Sequence, residues 1–186
     1  CGVHVIEPAL LAHLPPKGRE ACIVRQGYAP LLAAGQDVRA VLLPENAVFH
    51  DVGTPSRYLD TQRDLLRAPP LLPVAEGVDA NEALFQEAVY AVDAQGREYG
   101  SPDAVQGLAG AVLRPPFFFG PRNELGAGAR IGPNASLGAL NVVGAGAVVE
   151  DAALWAQVEV GAGERMVGVL AARIDGARCV VEGRGA

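Results

Sequence analysis

Between Phe119 and Met166 an apolar side chain returns every six residues. Phe119, Leu125, Ile131, Leu137, Val143 and Val149 keep this spacing, the register shortens by one at Leu154, and it resumes at Val160 and Met166. From Leu125 to Val143 each anchor is followed by glycine, in "LGAGAR", "IGPNAS", "LGALNV" and "VGAGAV". Four residues after successive anchors stand Ala129, Ala135, Asn141, Ala147 and Ala153. An α-helix repeats every 3.6 residues and a strand every second one, so neither alone produces this rhythm. Short strands joined by tight corners do, with the anchor inward and glycine taking the bend. Stacked hexads predict a solenoid filled by one aliphatic column. Asn141 fits such a column because stacked amides hydrogen-bond to one another. A flexible Gly/Ala linker would not keep aliphatics in register for so long. Weaker units are expected around Tyr99, Val105 and Leu113.

Composition agrees with a backbone-dense architecture. Aromatics are only 5% of the chain, against 23 glycines and 14 prolines, and half the residues are apolar. The net charge of −6 lacks the basic excess of a general nucleic-acid binder, so no nucleic-acid partner is expected. No apolar run approaches the ~18 residues of a membrane span, so no membrane association is expected either. Cys1, Cys22 and Cys179 have neither CxxC nor framework spacing, which suits reduced thiols and a cytoplasmic location. The chain does not open on Met, and its first residues read as the middle of a fold, so it is expected to begin partway through a longer protein.

The first third has a different texture. "GVHVIE", "DVRAVLL" and "NAVFHD" are strand candidates. "PALLAHL" starts a helical turn at Pro8. "CIVRQGYAPLLAAG" is apolar at helical spacing and stops at Gly35, although Gly27 and Pro30 interrupt it. Thr54 is an N-cap with Pro55 at the first helical position, and Tyr58, Leu59, Gln62, Leu65 and Leu66 follow at helical spacing up to Arg67-Ala68-Pro69-Pro70. "DAQG" at 93–96 is a turn signal. In "PPFFFG" three consecutive Phe cannot face one way, so at least one should lie outside the coil, against the first half or a partner subunit.

These stretches together resemble a known family. "GVHVIEPALLAHLP", then "FHDVGTPSRYLDTQRDLL", then hexads, is similar to the C-terminal part of sugar-1-phosphate nucleotidyltransferases, the NDP-sugar pyrophosphorylases, in their mannose-1-phosphate guanylyltransferase-like form. The resemblance implies an α/β remnant of the nucleotidyltransferase domain over 1–70, an unplaced linker at 71–94, a left-handed parallel β-helix over 95–175 and a tail at 176–186. It implies synthesis of an NDP-sugar from a sugar 1-phosphate and a nucleoside triphosphate, with release of pyrophosphate, and a homo-oligomer. The Asp of the family's motif falls on Asp51 and implies a Mg²⁺ ligand; otherwise Asp51 caps the glycine turn with its charge in solvent. Gly2 falls where the family's backbone meets the sugar phosphate. Arg25 falls near a phosphate-binding Lys, although the acidic neighbour of that motif is Val24 here. Phe49 matches the aromatic residue before the motif's Asp, and His50 reads as a strand-end residue rather than a base. Trp155 reads as exterior packing.

The sequence also departs from the family. The Gly-rich loop of the family's nucleotide site does not occur, and the second metal carboxylate of that site is expected in the half of the family's domain that the resemblance does not cover. The "GAGAR" at 126–130 belongs to the hexads and precedes no helix. The chain alone is therefore expected to be inactive. Two other classes were weighed. A non-catalytic oligomerisation or regulatory module suits a solenoid with associating ends. A hexapeptide acyltransferase, or a three-His zinc site on the same fold, would need histidine on the coils, and His4, His13 and His50 all precede them.

Overall fold

In the computed structural model the structure describes residues 4–42, 49–67 and 80–183. Two compact units divide between Phe49 and His50. No helix among the described residues is long and apolar enough to cross a membrane.

In the first unit the helical turns form but the strands do not. Pro8–Leu11 is a short helix (α1), Ile23–Tyr28 is a π turn, and Ala29–Ala33 continues as α2. Pro30 has no N–H to give to the turn before it, and the wide π turn lies immediately upstream. Gly35 closes the segment at φ +70°. The strand candidates at 4–7 and 37–42 are irregular and exposed, a correction to the sequence-based expectation. A strand needs a neighbour for its N–H and C=O groups, and no strand lies among the described residues of this unit. The first half of "NAVFHD", residues 46–48, lies outside the described residues, and 49–51 are irregular.

The second unit opens with α3, Pro55–Arg67, and α4, Ala80–Phe85. Its centre is a parallel-sheet β-solenoid of about three turns, as the hexads predict. One sheet runs through β4 (Phe117–Phe119), β7 (Ala135–Leu137), β10 (Ala153–Leu154) and β13 (Val169–Ile174). The second holds β5 (Glu124–Leu125), β8 (Val142–Val143) and β11 (Glu159–Val160). The third holds β3 (Val112–Leu113), β6 (Arg130–Ile131), β9 (Val148–Glu150) and β12 (Arg165–Val167). Antiparallel strands extend the first sheet at both ends: β1 (Tyr90–Val92) with β2 (Glu98–Gly100), and β14 (Ala177–Glu182), so the expected C-terminal tail is largely a hairpin with β13.

Three hexads make one coil. Phe119 pairs with Leu137 and Leu137 with Leu154, so the one-residue shortening in the sequence is one shorter coil. Every anchor is interior: Phe119, Ile131, Leu137 and Val149 are fully buried, and the least buried, Leu125, is 7% exposed. Ala129, Ala135, Asn141, Ala147 and Ala153 are buried beside them.

The corners correct one expectation. Among the described residues the glycine after an anchor does not generally make the bend. Arg122, Leu140 and Gln157 form one column of left-handed corners, Gly128, Gly146 and Gly163 a second, and Asn134, Asp151 and Gly168 a third. The post-anchor glycine is required by close approach instead. A Cβ on Gly120 would lie 2.6 Å from the Gly138 carbonyl oxygen, and one on Gly144 would lie 2.5 Å from the Ala162 nitrogen.

Buried polar groups are satisfied inside the coils. Asn141 Nδ2 donates to Asn123 Oδ1 at 3.0 Å, and Asn141 Oδ1 accepts the Val158 N–H at 2.9 Å. Asn123 Nδ2 donates to the carbonyls of Gly120 and Gly138, both at 2.8 Å. The amide ladder expected at Asn141 therefore exists, with Asn123 as its other rung.

Phe117 and Phe119 point inward while Phe118 points out. Phe118 is covered by the same chain: Phe85 lies against it at 6.5 Å between ring centres and stacks on Tyr99 at 4.6 Å, beside Leu66 and Ala91. Leu66 of the first half is thus part of this cover, as expected, and Phe85, Tyr99 and Ala91 supply the rest.

Candidate functional site

Asp51 sits in the irregular segment before α3. Its Oδ1 accepts the Gly53 N–H at 3.3 Å, closing the turn that the glycine opens. Thr54 Oγ1 accepts the Arg57 N–H at 3.3 Å, the N-cap that the sequence predicts. Capping fixes the first helical turn and brings Arg57 back over the carboxylate. Arg57 Nη1 reaches Asp51 Oδ2 at 2.6 Å, and both side chains are more than half exposed. Of the two readings of Asp51, turn capping with the charge in solvent describes the geometry. Both carboxylate oxygens are engaged, and no group of three metal-ligating side chains occurs among the described residues. Mg²⁺ takes about six oxygens in a near-octahedral shell, and among the described residues Asp51 has no cluster of further metal-ligating side chains beside it.

Of the other sequence candidates, Gly2 and Arg25 belong to the first unit and Asp51 to the second. Gly2 lies outside the described residues. Arg25 is exposed on the π turn of the first unit. Beside it, the N–H groups of Arg25 and Val24 hold the exposed Cys22 thiol below its ordinary pKa. His4 Nδ1 meets the Tyr28 hydroxyl at 2.9 Å in the same unit. His50 and Phe49 are exposed.

What the sequence did not reveal is how α3 is seated. The helix buries Leu59 and Leu66, and its polar side chains bond to the solenoid corners. Gln62 Nε2 donates to the carbonyls of Asn134 and Ala152, both at 3.1 Å. Arg67 Nε donates to Asn134 Oδ1 at 3.1 Å, and Asn134 Nδ2 donates to Asp151 Oδ1 at 2.7 Å. Arg63 bridges Asp60 at 2.7 Å and Asp151 at 3.2 Å with a side chain only 18% exposed. Burial alone would lower the Arg63 pKa; the Asp151 and Asp60 hydrogen bonds outweigh it and leave the guanidinium above its usual value. Tyr58 accepts the Trp155 indole N–H at 3.2 Å, so Trp155 packs on the exterior against α3 as expected. The signal was legible only in part: Asn134 and Asp151 stand at equivalent corners, but nothing in the sequence says which helix meets them.

A cleft of about 280 Å³ opens beside this seat, lined by Ser56, Leu59, Asp60, Arg63, Asp151 and Glu182, among others. Three carboxylates there face one arginine that is already paired twice. That balance disfavours an anionic ligand such as a sugar phosphate. No protein-family model matches the chain, and no curated protein matches it in sequence.

Proposed function

We propose that this chain is the C-terminal part of a sugar-1-phosphate nucleotidyltransferase, its solenoid a left-handed β-helix that supports the sugar side of the site. One observation carries the reading: the "DVGTPSRY" stretch folds into a capped turn that presents an exposed Asp51–Arg57 pair at the head of a helix seated on hexapeptide coils. The reaction would be attack of a sugar-1-phosphate oxygen on the α-phosphorus of a nucleoside triphosphate, with pyrophosphate as the leaving group. In such a transfer the protein contributes positioning and charge. Asp51 and Arg57 would orient the sugar phosphate, Arg57 by charge and Asp51 by holding Arg57. The bare apolar side chains of the first unit, among them Val24, Leu32, Val41 and Leu42, fit a segment that further chain would bury.

The test is pyrophosphate release by the full-length protein across sugar 1-phosphates and nucleoside triphosphates, with and without Mg²⁺. Asp51→Ala should lower turnover at least tenfold without lowering the melting temperature. Unchanged turnover would remove Asp51 from the site, and no release with any pair would remove the activity.

A second reading has its own support. The engaged carboxylate of Asp51 and the lack of a metal-ligating cluster among the described residues favour a non-catalytic oligomerisation module. Inactivity together with a stable oligomer would select it.

A further inference from the structure

The two ends of the long sheet are finished differently. At one end β2 is three residues long. At the other, β14 is six residues long and exposed throughout, with Val180 and Val181 at 43% and 46% exposure. A long exposed edge carrying apolar residues is a template for another strand.

We propose that β14 pairs antiparallel with β14 of a second copy across a two-fold axis centred on Val180. The hairpin fixes which backbone groups are free. Asp175 and Gly176, both with positive φ, form a two-residue loop between Ile174 and Ala177, and β13 and β14 then pair in strict alternation. Ala171, opposite Val180, turns its carbonyl the other way and accepts the Trp155 N–H. Val180 therefore directs its own N–H and C=O to the open edge, as do Arg178 and Glu182.

Only one register uses all of these groups. With Val180 facing Val180 of the partner subunit, Arg178 faces Glu182 of the partner subunit, and the two-fold repeats that opposite-charge pair at the other end. A shift of two residues in either direction leaves outward groups unpaired and sets a charge against Val180. Arg178 is already held by Glu164 at 2.8 Å and by the Glu159 carbonyl at 2.7 Å, so little side-chain freedom remains to be lost on pairing. The self-complementary charge pattern selects a second copy over an unrelated strand. This inference does not depend on the nucleotidyltransferase reading.

Sedimentation of the full chain across the micromolar range tests it. The wild type should show a concentration-dependent dimer. Glu182→Arg sets like charges at both ends and should weaken it about tenfold. Val180→Pro removes an N–H that points only to the open edge, at a position where an edge strand tolerates proline, and should abolish the dimer. With the three native cysteines changed to serine, Val180→Cys should cross-link to a dimer under mild oxidation and Val181→Cys should not. A wild-type monomer, a dimer that survives Val180→Pro, or equal cross-linking at both positions would each overturn the proposal. If Val180→Pro does not fold, the charge and cysteine variants decide.

Discussion

The two units of this chain use similar apolar side chains to different effect. In the solenoid every anchor of the hexad series is buried. In the first unit only Leu10 and Gly27 are buried among the described residues, while Val5, Leu11, Val24, Leu32, Val41 and Leu42 are exposed. Apolar content therefore does not decide which segment forms a core. The solenoid succeeds because each coil supplies the next with a layer of side chains and a row of backbone partners, so burial and hydrogen bonding arrive together. Among its described residues the first unit has strand-forming side chains without a strand to pair with, and most of its apolar side chains are exposed.

The contrast is broken most directly by truncating one residue in each unit. Leu137 is fully buried between Phe119 and Leu154 of the adjacent coils. Leu137→Ala should cost about 2–5 kcal/mol in urea denaturation. Leu32→Ala, at a side chain 56% exposed, should stay within about 0.5 kcal/mol. Equal effects would show that the first unit buries Leu32 in solution. The glycines give the next largest difference. Gly144→Ala must push apart coils whose backbone stands 2.5 Å from the new Cβ, and should cost about 1–3 kcal/mol. Gly35→Ala has open space around it and only its φ of +70° to strain, which is worth about 1 kcal/mol. Thermal unfolding of the two variants separates crowding from backbone strain.

The solenoid was legible because its period is long-range information written locally. The spacing from Phe119 to Met166 shows which residues stack, and the missing residue before Leu154 marks the short coil. The inward position of Asn141 and the outward turn of one Phe follow from the same pattern. What covers Phe118 was not legible: Phe85 carries no periodic mark, and Tyr99, expected near a weak repeat unit, stands instead on an antiparallel strand. The role of the post-anchor glycines was misread because close approach and positive φ both ask for glycine. Here the bends fall on Arg122, Leu140 and Asn134 as readily as on glycine. At the candidate site, Thr54 and Pro55 announced the helix start through local capping rules. The partner of Asp51 was not announced: Arg57 is in the quoted motif, but only the helical turn returns it to the carboxylate. The strands expected at 4–7 and 37–42 are irregular because strand propensity acts only where a neighbour exists.

The polar interior of the solenoid sharpens the comparison at smaller amplitude. Asn141→Ala leaves the Val158 N–H and one Asn123 oxygen lone pair without their partner, and should cost about 1–3 kcal/mol. A double-mutant cycle with Asn123→Ala should show coupling above about 0.5 kcal/mol, because the two amides serve one ladder. Additive losses would mean that each amide caps its own corner independently.

The smallest expected effects belong to two carboxylates, and the larger of them to Asp93, at the turn between β1 and β2. Its side chain is fully buried and accepts the N–H groups of Gln95 and Arg97, both at 2.9 Å. The Arg97 guanidinium at 2.7 Å and the Tyr99 hydroxyl at 3.0 Å complete its shell. Burial pushes the carboxyl pKa up, but the Arg97 backbone and side chain, the Tyr99 hydroxyl and the Gln95 N–H together hold it below its ordinary value of 3.8. A depressed folded pKa means that the unfolded chain binds the proton more readily. The stabilisation is therefore complete above the ordinary value and is lost as pH falls through the folded one. In Asp93→Asn the gap from wild type should be present at neutral pH and should narrow on acidification below pH ~4. Urea midpoints over a pH series measure it. Glu164, held down first by its hydrogen bond from Arg178, acts with the same sign at a more exposed position, so Glu164→Gln should close a smaller gap. A gap at Asp93 that widens in acid would mean that burial outweighs the four donors, and that this turn is held by its backbone alone.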